Sequence, residues 1–267
     1  MKNEIKIIFV DIDWTLLNHK YKPGRYDKSS IRALKRVQKK GIKVFICTAR
    51  PYHSVEQVGF FNYFKPDGII TGNGGLIIYN NEIIYGPTMD QKEFEKLCEL
   101  ALSLNVNLEF IRAYDAYLIA PPNEAVYKLI ETYPENIPEV MDFHNQKVIS
   151  CALFAPKELD ELIRPNFPKS FYYYRYHDYG VDIASYPHIK GEAVKIVLDY
   201  LKIDKEQAMA IGDDDQDISM FDYVKYGVAM GNAKENVKKS ASFITKDIDH
   251  HGVRFVIKKI IWFIYYF

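Results

Sequence analysis

Two short runs, IKIIFV (5–10) and IKVFIC (42–47), are apolar or nearly so, without the alternation of a half-exposed strand, and DGIITGNGG (67–75) reads as a short strand into a glycine-rich turn. The two apolar runs suit strands buried on both faces, and those belong to parallel sheets covered by helices. Between them, SIRALKRVQKKG places Ile31, Leu34 and Val37 at helical spacing and closes on Gly41. Pro51 stands where a further helix can begin. The order β, α, β, α, β predicts an α/β fold with a Rossmann-like parallel sheet and helices on its faces.

The rhythm changes near residue 76. LIIYNNEIIYG reads as a hairpin turning at Asn80–Asn81, and EFEKLCELALSL as an amphipathic helix. Residues 106–185 mix short strands such as KVISCALFA with turns at prolines 121, 122, 134 and 138. FYYYRYHDYGVDIA reads as a strand or hairpin, its aromatics either a stacking platform or, preferably, one buried face and one solvent face. This block is too long for a loop and is expected to be an inserted α+β domain. The parallel rhythm returns at Lys190 with GEAVKIVLDYL, QAMAIG, DISMFDYV, YGVAMG, AKENVKKSA and SFIT. The core is therefore expected to be discontinuous, 1–80 and 187–267, with the insert at 81–186.

Charge is balanced, 35 basic against 35 acidic residues in 267, so no global field recruits nucleic acid or an anionic surface. Cys47, Cys98 and Cys151 suit neither a disulfide framework nor a CxxC knuckle, and a reducing compartment follows. The first apolar run is too short for a signal peptide, and no window reaches a membrane span. A cytoplasmic protein is expected, monomer or homodimer, with no nucleic-acid or membrane partner. Seven histidines include no HExxH or Cys/His spacing, which argues against zinc. The apolar tail VIKKIIWFIYYF is expected to dock on the sheet as a terminal helix or to make a dimer contact.

In open α/β sheets ligands sit beyond the carboxyl ends of the strands. The first strand delivers Asp11 and Asp13 there, the second Thr48, and QAMAIG leads into Asp213, Asp214, Asp215 and Asp217. Lys190 lies near the start of its helix. Taken singly, each of these residues is more often a turn, a cap or a solvated side chain. Together, two acidic turns would repel strongly without a cation, and hard oxygen ligands in a tight cluster suit Mg²⁺ beside a substrate phosphate.

DIDWTLL, CTAR, HIKG and GDDDQD stand in the order of the four motifs of the haloacid dehalogenase superfamily, which this chain resembles. NGG at 73–75, GVAMGNA and ITKDIDHHGV, with the position of the insert, resemble its Cof-type branch with a type IIB cap. The resemblance implies a Mg²⁺-dependent phosphatase of a small phosphorylated metabolite, with sugar phosphates first and pyridoxal phosphate or flavin mononucleotide next. Asp11 would be the nucleophile and form an aspartyl-phosphate; Asp13 would be general acid, then base. Asp11, the Asp13 backbone carbonyl and Asp213 would hold Mg²⁺, with Asp217 supporting it through water and orienting Lys190. Thr48 and Lys190 would bind phosphoryl oxygens, and Arg50, Asn73 and Gln216 would face the substrate. His53, Arg112, Tyr114, Arg175, His177 and Tyr186 are further candidates for substrate contact.

Two positions depart from the motifs. Trp14 replaces a glycine, so the backbone there is expected to avoid conformations only glycine reaches, and the indole to face the cap or the substrate. Gln216 replaces asparagine and moves the amide outward by one methylene. Asp214 and Asp215 are expected at a helix start, away from the ion. The rival readings are a phosphomutase on the same scaffold and a non-catalytic protein that binds a phosphometabolite.

Overall fold

The computed structural model describes residues 5–22, 24–132, 136–186 and 189–266, with side chains as far as Lys259. The domain boundary expected at 187, His188 and the turn at Pro134 lie outside the described residues. In chain order the first half comprises β1 (Ile7–Val10), β2 (Leu17–Asn18), β3 (Arg25–Tyr26), α1 (Lys28–Gln38), β4 (Lys43–Cys47), α2 (Tyr52–Gln57), α3 (Phe60–Tyr63), β5 (Gly68–Thr71), β6 (Leu76–Tyr79), β7 (Glu82–Tyr85), α4 (Gln91–Ser103), β8 (Asn107–Ile111), β9 (Ala116–Leu118) and α5 (Glu124–Thr132). There follow β10 (Ser150–Phe154), α6 (Asp160–Asn166), β11 (Tyr172–His177), β12 (Gly180–Ala184), α7 (Lys190–Leu201), β13 (Ala208–Gly212), α8 (Asp215–Phe221), β14 (Tyr226–Ala229), α9 (Glu235–Ser240), β15 (Phe243–Ile244) and α10 (Gly252–Tyr266).

The chain forms two compact units. The first takes the described residues up to Arg50, Phe60–Tyr85 and those from Ile189 onward; the second takes Pro51–Gly59 and the described residues from Gly86. In the first, an eight-stranded sheet runs β15-β14-β13-β1-β4-β5-β6-β7. The six strands from β15 to β5 are parallel. β6 and β7 join antiparallel, which departs from a wholly parallel core. The causes are local: the chain turns back from β5 to β6 through Gly72, Asn73 and Gly74, all at positive φ (56°, 55° and 108°), and from β6 to β7 at Asn80 and Asn81 (50° and 65°). The first unit therefore runs through β7 to Tyr85, past the hairpin turn.

All four residues of β1 are buried, as an unalternating run demands of a strand covered on both faces. Ile7 and Phe9 pack in a core with Phe45, Val194, Val197 and Met220. The tail does form a helix: α10 packs along α1, and its Lys259 Nζ lies 4.7 Å from the centre of the Phe243 ring in β15. Val253, Val256 and Ile257 are buried, and Arg254 Nη1 donates to Ser29 Oγ at 2.8 Å. Among the described residues no helix is long and apolar enough to cross a membrane. All three cysteines are free and buried.

The second unit is a five-stranded antiparallel sheet, β11-β12-β10-β8-β9. One face (Leu108, Phe110, Leu153, Val181, Ile183) packs on Phe94 and Leu97 of α4 and Ile163 of α6. Leu118 and Phe154 pack on Val126 and Leu129 of α5. The aromatic run divides as alternation requires: Tyr172, Tyr174 and Tyr176 are exposed, while Tyr173 packs on the core. Arg175 and Arg112, expected as substrate contacts, are engaged inside this unit. Arg175 donates to Asp160, to the carbonyls of Ala155, His177 and Asp178, and to Tyr173. Arg112 forks onto Asp115 and reaches Gln146 at 2.9 Å. His53 Nε2 pairs with Glu109 at 3.1 Å.

Burial pushes the Asp160 carboxyl up, but hydrogen bonds from Arg175 and Tyr173 outweigh it and hold it below its usual value. A depressed acid contributes stability above its unfolded pKa, near 4, and loses it as pH falls through the lower folded value. Asp160→Asn is therefore expected to lose about 1–2 kcal/mol at pH 7. Urea titrations should show the gap to wild type narrowing below pH 4; a gap that widens there would refute the assignment.

Candidate active site

β13, β1 and β4 are adjacent and parallel, so their carboxyl ends deliver Asp213, Asp11 and Thr48 to one edge. Asp11 continues the ladder, its N–H donating to the Ile211 carbonyl at 3.0 Å. Lys190 is the first residue of α7 and is 3% exposed, a placement that a lysine tolerates only when paired. Its Nζ donates to Asp11 Oδ1 at 2.8 Å and to Asp217 Oδ1 at 2.6 Å. Burial opposes the ammonium charge, but Asp11 and Asp217 outweigh it and keep the amine protonated. Close packing makes this possible. A Cβ on Gly191 would stand 2.1 Å from the Ser219 carbonyl, and one on Gly212 would stand 2.3 Å from Asp217 Oδ2.

The acidic turn of 213–217 divides by direction. Asp217 is fully buried, and its Oδ2 accepts from the N–H groups of Asp213 (2.8 Å) and Asp214 (3.0 Å), closing the first turn of α8. Asp213 is half-buried and accepts from Thr15 Oγ1 at 2.9 Å. Asp214 and Asp215 are exposed and pair with Lys234 at 2.6 and 2.8 Å. Asp214 is the N-cap of α8 and Asp215 its first residue.

Carboxylate oxygens of Asp11, Asp213 and Asp217 lie within 4.8 Å of one another. Burial first, then repulsion from Asp217, Asp213 and Asp13, raises Asp11 well above the usual range despite Lys190. Asp213 is pushed up to about 7 by burial and by Asp217. Three carboxylates share one ammonium, and the remaining negative charge among hard oxygen donors fits a divalent cation.

Asp13, two residues from Asp11, is in the opposite state. Arg50 forks onto it, Nε to Oδ2 and Nη2 to Oδ1, both at 2.8 Å, and His19 Nε2 lies 2.5 Å from Oδ1. Burial alone would raise its pKa, but His19 and Arg50 bring it down to about 2. Arg50, expected to face the substrate, thus carries its guanidinium on Asp13 while its N–H donates to Thr48 Oγ1 at 3.1 Å.

Trp14 corrects the sequence-based expectation. It takes φ 57°, the left-handed conformation that a side chain makes costly by roughly 1–2 kcal/mol. Neighbours hold it there: its N–H donates to the Leu17 carbonyl at 2.8 Å, and its carbonyl accepts from Asn232 Nδ2 at 3.0 Å. Its indole lies 5.5 Å from the His19 ring and is 37% exposed.

A cavity of about 450 Å³ opens over this group, lined by Asp11, Asp13, Trp14, Lys190, Asp213 and Gln216 among others. Thr48 is fully buried, and its carbonyl accepts from the Asn73 N–H at 3.1 Å. Asn73 has φ 55°, and its Oδ1 is a buried acceptor without a protein partner. Thr15, His19, Asn232 and Lys234 contact the site but carried no role in the sequence-based expectation. Thr15 and His19 sit beside the first acidic pair in the chain; Asn232 offered only its place in GVAMGNA.

Residues 8–257 match the family of haloacid dehalogenase-like hydrolases. The chain is 27% identical to the putative phosphatase YkrA of Bacillus subtilis, covering 96% of this chain and 97% of that one. It is 29% identical to phosphoglycolate phosphatase 1 of Saccharolobus solfataricus, over 96% of each. The structure of BT4131, a sugar phosphatase of subclass IIB, superposes with a TM-score of 0.73 at 29% identity, covering 95% of this chain and 98% of that one. With the acidic cluster, the parallel core and the separate antiparallel sheet in place, the chain belongs to the haloacid dehalogenase-like hydrolases, as a Cof-type phosphatase with subclass IIB features.

Proposed function

We propose that the chain hydrolyses a small phosphate monoester with Mg²⁺, using Asp11 as nucleophile and Asp13 as acid and base. The observation that carries this reading is the buried Lys190, joined to Asp11 and Asp217 beside the oxygen of Asp213. Asp11, the Asp13 carbonyl and Asp213 would hold the ion. Bound there, it would neutralise the carboxylates and the charge on the phosphoryl oxygens. Asp217 has its oxygens on Lys190 and two backbone N–H groups, which suits orientation of Lys190 and support through water.

Asp11 attacks phosphorus: a bond forms from its carboxylate oxygen, the bond to the leaving oxygen breaks, and that oxygen takes a proton from Asp13. Water then attacks the aspartyl-phosphate, giving a proton to Asp13 and releasing phosphate and the free Asp11. Lys190 and Thr48 contact the phosphoryl oxygens. Asp13 has to acquire a proton before the first step, and the Arg50 fork opposes that. Transfer of the guanidinium to incoming phosphoryl oxygens would relieve the opposition and give Arg50 its substrate role. Asn73 and Gln216 complete the contacts, the buried Oδ1 of Asn73 accepting from a ligand hydroxyl or water. Leaving-group choice is assigned to the second unit, by analogy with the family. Substrate candidates are sugar phosphates and phosphorylated cofactors.

Phosphate release across a panel of sugar, nucleotide and cofactor phosphates tests this. Release should require Mg²⁺ and stop with chelator, and Asp11→Asn should lower it by about four orders of magnitude or more. Isomerised product without free phosphate would replace the phosphatase with a mutase, and binding without turnover would leave a ligand-binding protein. Asp217→Ala takes one of its two carboxylates from Lys190 and the acceptor from two N–H groups, and should cost about 3–5 kcal/mol in urea unfolding. Asp217→Asn keeps acceptor oxygen and should lose less; equal losses would count against the orienting role.

A further inference from the structure

Apart from Ala49, the wall of the active-site cavity is polar or charged except at Trp14. Among the described residues that line the cavity, the indole is the one large apolar surface beside Asp11 and Asp13, and it remains 37% exposed. Its backbone sits at φ 57°, where glycine would be free of strain. A glycine would also avoid leaving an aromatic face in water. Two unfavourable features at one residue, next to the reacting carboxylates, point to a use for the side chain. The ring is also braced: Leu17 and Asn232 fix the peptide groups on either side, and His19 lies against it while holding Asp13. A flat, pre-positioned face of this kind favours a flat partner.

Resting on the phosphatase reading, we propose that Trp14 is a specificity-determining residue that stacks on a ring in the leaving group. The substrate is then a phosphate monoester of a cyclic alcohol carrier, either a sugar ring presenting its C–H face or an aromatic heterocycle. Asp13 directly precedes Trp14 in the chain, so the residue assigned to protonate the leaving oxygen and the one assigned to hold the leaving group share one turn. Acyclic phosphate esters would engage the ionic wall and forgo the stacking.

Glucose 6-phosphate, pyridoxal 5′-phosphate and phosphoglycolate, with Mg²⁺, distinguish these chemistries. Trp14→Gly, which suits the positive φ, is expected to lower kcat/KM for one or both ring substrates about tenfold more than for phosphoglycolate, mainly through KM. Trp14→Phe should recover most of that difference. Which ring substrate responds tells sugar from heterocycle. Equal losses on all three, or no loss, would overturn the proposal and leave Trp14 as a backbone element only. A second readout is independent of turnover. The chain has two tryptophans, so Trp262→Phe leaves Trp14 as the sole indole emitter. In that variant carrying Asp11→Asn, Trp14 emission should change on titration with a ring phosphate and stay flat with phosphoglycolate. A flat response to both ring ligands overturns stacking. A response without phosphate release by the otherwise wild-type chain would sink the phosphatase reading while keeping the stacking.

Discussion

The buried ammonium of Lys190 is the contact on which the rest of the site depends. It binds Asp11 at the end of β1 and Asp217 in α8, and so ties three separate elements at one point. An unpaired lysine in this position would give up its charge. The ammonium offsets its carboxylate neighbours only in part: Asp11 is still driven well above the usual range, and Asp213 joins the group without a cationic partner of its own. The arrangement is one that a divalent cation would suit, and the strand ends and close-packed glycines hold it in register.

Asp11 and Asp13 show how two identical side chains, two residues apart, reach opposite states. Asp11 is buried among other carboxylates and is driven up; Asp13 is clasped by Arg50 and His19 and falls to about 2. Pairs of acids pushed apart by their surroundings divide labour in this way. The division is set by neighbours far away in the chain for Asp11 and by nearer ones for Asp13, which is why strand geometry alone cannot separate the two.

Much of this was legible in the residues. Unalternating apolar runs gave the buried parallel strands, and the order of acidic, threonine and lysine motifs gave the edge at which they meet. The rest depended on tertiary contacts. That Arg50 turns onto Asp13, and that Arg175 and Arg112 are taken up inside the second unit, follows from partners no local pattern discloses. The conformation of Trp14 ran against propensity, because hydrogen bonds to Leu17 and from Asn232 over-determine a backbone that the side chain disfavours. The antiparallel hairpin was visible as Asn80–Asn81, but its place in the main sheet was not.

The strand order has a consequence for how the molecule comes to be. β1 is central, and one of its two neighbours, β13, follows it by some two hundred residues. During synthesis the run Ile7–Val10 therefore lacks one hydrogen-bonding partner until most of the chain has emerged, while the intervening second unit already has all its own strands. Pairings of such separation are slow to form and leave apolar edges open in the meantime. Asp213 and Asp217 arrive with that late strand, so the acidic cluster cannot come together before the two chain-distant halves of the sheet meet.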